Sequence, residues 1–166
     1  SLNTKLPAIL PEYKDSNKAH VTLKSMLSHY ARLRPWEPFY YHTLDTITKR
    51  PNRKYYRYKR SNKFNVEVSK NLFLRTDYQD SLPEIIKNSE LLERQRYRYS
   101  DFPYYILKKF IEQHYDRTLD ELAQSHFYES LGANYTLYNP YYKISNKKIV
   151  PTEIDDYYRY QKVHGY

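Results

Sequence analysis

Apolar residues recur every three or four positions in the first third of the chain, a spacing that places them on one face of a helix. The first such segment, 16–33, can be capped by Ser16 or a neighbouring Asn, and we predict that it ends before Pro35. Its apolar positions are Ala19, Leu23, Met26, Leu27, Tyr30 and Leu33. A shorter helix is predicted over 39–48, before Pro51.

Stronger helix signals follow between residues 80 and 132. Capping boxes, in which a Ser or Thr precedes a Glu by three residues, occur at 81–84 and 118–121. The first predicts a helix with Ile85, Leu92 and Tyr99 on one face. A further helix is predicted over 103–115, and Gly132 is predicted to end the last one in a left-handed conformation.

The pattern changes between these helical regions. Phe64, Val66 and Val68 alternate with polar residues, which predicts a strand, and the apolar run 72–74 is expected to be a second short strand or an apolar anchor. The last segment, 133–166, combines prolines, asparagines and tyrosine pairs and is predicted to be extended.

Together these patterns predict a mainly α fold, with a small irregular core of about four to five helices, extended Tyr- and Pro-rich arms and at most a short β element. The length suits a single domain over 1–166. Its expected parts are an extended N-terminal arm (1–15), a helical segment (16–48), a basic aromatic extended segment (49–75), a helical core (80–132) and an extended C-terminal tail (133–166).

Tyrosine is the most unusual feature of the composition, with 22 residues against two glycines and no cysteine. Five tyrosine pairs are adjacent in sequence, and Tyr-Arg-Tyr occurs at 56–58, 97–99 and 158–160. Adjacent rings point in different directions on a strand or a helix, so one core cannot bury both. We therefore expect aromatic surface that is left over for contacts. A genome poor in G and C would also enrich Tyr, without selection on surfaces.

Positive charge is concentrated in one segment, because the run 49–63 holds eight basic and no acidic residues of a chain whose net charge is +9. These are Lys49, Arg50, Arg53, Lys54, Arg57, Lys59, Arg60 and Lys63. The remainder, with 20 basic and 19 acidic residues, is nearly neutral. Tyr55, Tyr56 and Tyr58 are interleaved with the cations.

Such a basic aromatic run suits three kinds of partner. On RNA the cations contact phosphates and the rings stack on unpaired bases. At a membrane surface the cations contact anionic headgroups while Tyr lies at interfacial depth. Against an acidic protein groove the Arg residues pair with carboxylates. A solvated basic loop is the alternative without function, and the near-neutral remainder counts mildly against a dedicated RNA binder.

Catalytic and cofactor chemistry finds little support in the sequence. Without cysteine there are no thiolate ligands or Cys nucleophiles, and the six histidines lack metal-ligand spacing. Two glycines cannot build a phosphate-binding loop, and no Ser lies in a nucleophile elbow. The acidic cluster around Asp155 is expected to form surface ion pairs. We therefore predict that the chain is not an enzyme and uses no cofactor, metal or small-molecule substrate.

The chain is not expected to span a membrane, because its mean hydropathy is −0.97 and no stretch approaches the roughly 18 to 20 apolar residues of a membrane-spanning helix. It can still associate with a membrane surface through its cations. The expected partners are thus other protein subunits, together with anionic lipid headgroups or RNA. Predicted tail contacts are Tyr141, Tyr142, Tyr157, Tyr158, Arg159 and Tyr160.

In composition and in its basic aromatic run the chain resembles the supernumerary subunits of mitochondrial respiratory complexes. Over 53–60 it is similar to the Tyr-rich basic start of the PDSW-type complex I subunits, whose cysteines are missing here. The resemblance implies a non-catalytic accessory subunit of a mitochondrial respiratory-chain assembly, associated with the inner membrane. The alternative is a mitochondrial ribosomal protein that binds rRNA through 49–63.

Overall fold

A computed structural model describes residues 1–165, which form two compact units. Unit 1 consists of Ser1–Glu37 and Ser81–Leu119, and unit 2 consists of Pro38–Asp80 and the described residues from Asp120 onward. Within residues 1–165 the α-helices are α1 (Leu23–Leu27), α2 (Thr76–Asn88), α3 (Phe102–Tyr115) and α4 (Leu119–Ala123). The strands are β1 (Tyr56–Arg57), β2 (Phe64–Ser69), β3 (Leu72–Arg75), β4 (Glu153–Asp155) and β5 (Gln161–Val163).

The fold class is therefore mixed α/β, with four α-helices and two small antiparallel sheets in the described part of the chain. The prediction of a mainly α fold with at most a short β element is correct for the helices but underestimates the sheets. Two of the strands lie in the last segment, where tyrosine pairs and prolines obscure the period-two alternation by which a strand is recognised.

Of the predicted helix over 16–33, only the five residues of α1 are helical in the structure. It begins late because Thr22 and Ser25 form a capping box, in which the Ser25 N–H donates to the Thr22 hydroxyl over 3.1 Å. It ends early because His29 and Arg32 both adopt left-handed backbone conformations, each with φ of 60°. The apolar spacing of three and four residues continues beyond the helix, but the backbone there is no longer helical.

The predicted helix over 39–48 is reduced to a 3-10 turn at Phe39–Thr43. Beyond the turn, the Asp45 carboxylate accepts hydrogen bonds from the backbone N–H groups of Ile47 and Thr48, at 3.1 and 2.7 Å. Such local side-chain acceptors offer the backbone an alternative to a helix. Lys49, at φ 57°, completes the turn.

The later helices match their predictions more closely. Helix α3 confirms the prediction over 103–115 and ends at Tyr115, where the left-handed Asp116, with φ of 50°, caps it. Gly132 is left-handed as predicted, with φ of 63°, but it does not end α4, which stops at Ala123 and is followed by a π-helical turn over Gln124–Tyr128. Helix α2, in contrast, starts at Thr76, carries Pro83 inside and ends at Asn88, so Leu92 and Tyr99 lie outside it.

The core of unit 1 is aliphatic, apart from Phe102 and Tyr13. Its buried apolar side chains include Leu6, Leu10, Val21, Met26, Ile86, Phe102 and Ile106. The predicted N-terminal arm is not extended, because the 3-10 turns Leu6–Ala8 and Pro11–Tyr13 bury Leu6, Leu10 and Tyr13 in this core.

Lys18 is a fully buried cation in unit 1. Its Nζ donates to the carbonyl oxygens of Lys87, at 3.0 Å, and Ser89, and to Asn17 Oδ1 at 2.9 Å. Those carbonyls lie at the end of α2, where backbone acceptors lack helical partners and the helix dipole favours a cation. Lys18 therefore ties the N-terminal segment to the C-terminal end of α2.

The core of unit 2 lies against a three-stranded antiparallel sheet of order β1-β3-β2. Its buried cluster comprises Leu44, Tyr56, Leu72, Leu74 and Tyr158. The second sheet pairs β4 with β5, with Glu153 opposite Val163. The predicted extended C-terminal tail is thus folded over much of its length. No α-helix within residues 1–165 combines the length and apolarity required to cross a bilayer.

Candidate interaction surfaces

The basic run 49–63 lies in unit 2 and leads through β1 into the start of β2. Seven of its eight cationic side chains are exposed, and Lys49 is half-buried. Strand β1 pairs with β3 alone, so it forms an edge of its sheet. Charged residues on an edge strand discourage pairing with another chain. The cations therefore face solvent along one sheet edge and the turns that flank it.

None of these eight cations forms an ion pair with a carboxylate within residues 1–165. Five of them lie over aromatic rings instead. Measured from Lys Nζ or Arg Cζ to the ring centroid, the distances are 5.2 Å for Lys49 over Tyr41, 5.6 Å for Arg50 over Tyr160, 5.3 Å for Lys54 over Tyr55, 4.5 Å for Arg57 over Phe64 and 5.9 Å for Arg60 over Phe73. A ring orients a cation without neutralising it, so this surface keeps its positive charge.

The three tyrosines of the basic run occupy different environments. Tyr58 is 73% exposed, and Tyr55 is half-buried with its ring 5.4 Å from that of Tyr78. Tyr56 is buried, and its hydroxyl shares a hydrogen bond of 2.7 Å with the hydroxyl of Thr43. Burial raises the pKa of Tyr56 well above its usual value. Since side chains alternate across a strand, Tyr56 points into the core while Arg57 points outward.

The predicted tail contacts likewise include both buried and exposed tyrosines. Tyr158 is buried and stacks on Tyr40, with ring centroids 4.9 Å apart and planes at 8°. Tyr157 and Tyr160 are about half exposed, and Tyr142 lies beside Tyr141 with centroids 4.0 Å apart. Tyr158 is thus part of the core, and the other tail tyrosines keep surface available for contacts.

Arg159 is engaged within the tail. Its Nε lies 2.8 Å from Asp155 Oδ2, and its guanidinium is 3.5 Å from Glu153. Asp155 also accepts backbone N–H groups from Tyr157 and Tyr158, at 2.9 and 3.0 Å. The acidic cluster therefore closes the turn between β4 and β5 and pairs with the tail's own arginine.

A groove of about 390 Å³ opens beside this turn in unit 2. It is lined by Val66, Glu67, Val68, Gln79, Asn139, Tyr141, Tyr142, Tyr158 and Arg159. Both of its charged residues make contacts inside the unit: Glu67 accepts the Asn71 N–H at 3.2 Å, and Arg159 pairs with Asp155. The groove thus offers mainly aromatic and amide surface.

A second aromatic surface, which the sequence pattern did not single out, lies in unit 1. It consists of His29, Tyr30, Tyr97, Tyr99 and Tyr104, hereafter the His29 cluster. The His29 ring lies 6.0 Å from Tyr97, 4.6 Å from Tyr99 and 6.2 Å from Tyr104. The four tyrosines are between 45% and 59% exposed. The repeated Tyr-Arg-Tyr at 97–99 was the available signal.

No group of three or more His, Asp or Glu side chains within residues 1–165 is arranged to hold a metal ion. His114, for example, packs against Phe110 at 5.5 Å and Tyr115 at 4.9 Å. The chemistry displayed by the described residues is therefore that of aromatic rings, hydroxyls and cations at a surface. No family model, curated protein or solved structure matches this chain.

Proposed function

We propose that this protein is a non-catalytic accessory subunit of a large mitochondrial respiratory-chain assembly, which it stabilises through tyrosine-rich contacts with neighbouring subunits. The observation that carries the proposal is exposed aromatic area: thirteen tyrosines among residues 1–165 are at least 42% exposed. Tyr is favoured at protein interfaces because it buries a large ring while its hydroxyl still finds a partner at the rim. The assignment to a respiratory assembly comes from the resemblance in composition and in the run 53–60.

The basic surface supports an anchoring role within such an assembly. Exposed cations without a carboxylate partner attract acidic surfaces or anionic headgroups, and each contributes about 1 kcal/mol at a membrane surface. Tyr58, the most exposed aromatic of this run, suits interfacial depth. The proposed location is accordingly the surface of the inner mitochondrial membrane, without a spanning helix.

Native electrophoresis of solubilised organelles tests the proposal. We expect the chain to migrate with a respiratory complex, and ribonuclease to leave that migration unchanged. Removal of the chain should lower the yield of the intact complex while its remaining catalytic subunits stay active. Migration as a free monomer in mild detergent would contradict the proposal.

A mitochondrial ribosomal protein is the second candidate, favoured by the eight cations of the basic run that no described carboxylate neutralises. Stacking of bases on Tyr58 and contacts of phosphates with the surrounding cations would bind rRNA. Sedimentation with a ribosomal subunit, lost after ribonuclease treatment, would support this candidate over the first.

A charge-matched pair of variants separates the two candidates. The first replaces five cations of the basic run by Gln, at Arg53, Lys54, Arg57, Lys59 and Arg60. The control replaces five exposed lysines of the same unit by Gln, at Lys70, Lys143, Lys147, Lys148 and Lys162. If the basic run binds RNA, the salt dependence of binding should weaken by about 0.7 in slope per lost phosphate contact in the first variant alone. Equal slopes in both variants would exclude that segment as the phosphate contact.

A further inference from the structure

We propose that the His29 cluster, together with Arg94, Arg96 and Arg98, forms a second docking surface that binds an acidic segment of a neighbouring protein subunit. These residues all belong to unit 1, whereas the basic run belongs to unit 2. The inference rests on the proposed function only in taking the occupant to be a protein.

The surface is held in place by backbone hydrogen bonds. The irregular segment 90–101 lies against residues 29–35: the Leu92 N–H donates to the Arg32 carbonyl at 2.7 Å, and the Arg98 N–H to the His29 carbonyl at 2.9 Å. The Asp101 N–H donates to the Pro35 carbonyl at 2.9 Å. Binding therefore requires little ordering of the backbone, which lowers its entropic cost.

The arginines provide the recognition of carboxylates. Arg94, Arg96 and Arg98 are all exposed, and no carboxylate within residues 1–165 forms an ion pair with them. Arg94 and Arg96 line a groove of about 380 Å³ together with Leu92 and Glu93. A planar guanidinium can donate two parallel hydrogen bonds to one carboxylate, so an acidic segment fits these side chains.

The ring geometry favours a protein over a nucleic acid. Within the cluster, ring planes meet at 89° for His29 with Tyr97, 64° for Tyr30 with Tyr97, and 41° for Tyr99 with Tyr104. Successive bases stack on ring faces that lie roughly parallel. These rings present edges and tilted faces instead, a surface that aliphatic and aromatic side chains of a protein can fill.

Fluorescence anisotropy with the full chain tests the surface directly. To weaken competition from the basic run, the chain carries the five Gln replacements there. The probes are a labelled peptide of alternating Glu and Leu, its counterpart with Gln in place of Glu, and oligouridylate. We expect the Glu peptide to bind, with an affinity that falls as salt rises, and the Gln peptide to bind far more weakly.

Replacement of Arg94, Arg96 and Arg98 by Gln should lower the affinity for the Glu peptide about tenfold or more, as expected for three partly exposed charge pairs. The matched control replaces Lys5, Lys14 and Lys24, which are exposed in the same unit, by Gln and should bind as before. Equal losses in both variants, equal binding of the two peptides, or preferential binding of oligouridylate would overturn the proposal.

A second variant separates docking from unfolding. Tyr97→Ala leaves every charge in place and should weaken binding of the Glu peptide several-fold, while circular dichroism stays that of the parent. Unchanged binding would remove the aromatic cluster from the proposed surface. If the peptide binds as expected but the chain does not co-migrate with a complex, the respiratory assignment fails and the docking surface stands.

Discussion

The two units differ in how far tyrosine enters their cores. In unit 1 the core is mostly aliphatic, and the His29 cluster places four half-exposed tyrosines at the surface. In unit 2 the buried cluster itself contains Tyr56 and Tyr158, with Tyr40, Tyr55 and Tyr78 packed against it. Tyrosine is thus almost entirely at the surface in unit 1, whereas in unit 2 it supplies part of the core as well as exposed rings such as Tyr58.

In unit 2 the hydroxyls of two tyrosines at the core find partners inside the unit. Tyr56 shares a hydrogen bond with Thr43, and Tyr78 donates to the Phe39 carbonyl at 2.6 Å. A buried hydroxyl without such a partner would cost about 1–3 kcal/mol. Unit 2 thus supplies polar partners for tyrosine rings at its core.

The largest expected effect is the loss of a core ring. Tyr158→Ala should destabilise unit 2 by about 3–5 kcal/mol, because it removes a buried aromatic side chain and leaves a cavity beside Tyr40. Denaturant unfolding monitored by hydrogen exchange should locate the loss of stability in unit 2. The matched substitution Tyr97→Ala, at an exposed ring of unit 1, should stay within about 0.5 kcal/mol. Similar losses in both would erase the distinction between the units.

Alkaline pH should unfold the tyrosine-rich core. Burial raises the pKa values of Tyr56, Tyr158 and Tyr40, whereas the unfolded chain ionises near the usual value of 10.0. Above that pH the native state binds more protons than the unfolded state, so stability falls as pH rises.

Tyrosinate absorbance and circular dichroism, recorded together, check this expectation. Part of the absorbance should develop only as the circular dichroism of the folded state is lost. Double replacement of Tyr56 and Tyr158 by Phe should reduce the fraction of the tyrosinate absorbance that develops only during unfolding. An absorbance titration complete before unfolding would contradict it.

Lys18 gives unit 1 a dependence of the opposite sign. Burial lowers its pKa from 10.5 to about 8. Between these values the unfolded state holds the proton and the native state releases it, so stability should rise with pH across this window. Below pH 8 both states are protonated, and the slope vanishes. Lys18→Met, which keeps the length and apolar stem of the side chain, should abolish the rise in denaturant midpoint, and a persistent rise would assign it to another group.

The smallest effect is expected from the basic run. Because no described carboxylate pairs with its cations, the five Gln replacements there mainly lose the cation–ring contacts of Lys54, Arg57 and Arg60. Relief of repulsion partly offsets that loss, so the unfolding free energy should change by no more than about 2 kcal/mol. Thermal denaturation at low and moderate salt checks this. A loss well above that size would mean that the run is held by its charges and serves the fold, not a partner.

Local signals in the sequence predicted the parts of the fold in which chain neighbours decide the conformation. Helix α3, the strand around Val66 and the left-handed Gly132 follow from period, alternation and backbone freedom. The prediction of a helix over 16–33 was wrong because a left-handed His29 ends α1, and the spacing of the apolar residues does not indicate that conformation. The same limit applies to the candidate surfaces. The basic run is contiguous and could be predicted from the sequence. The His29 cluster could not, because it joins residues some seventy positions apart.

The sequence by itself determined that this chain has more aromatic rings than one core can bury, and that its positive charge is concentrated in a single run. Only the tertiary structure decided which rings are core and which are surface. Tyr157 and Tyr158 are adjacent, yet Tyr158 is 7% exposed and Tyr157 is 45% exposed. The physical reason is that burial depends on partners distant in sequence: Tyr158 stacks on Tyr40, and no local pattern records that contact.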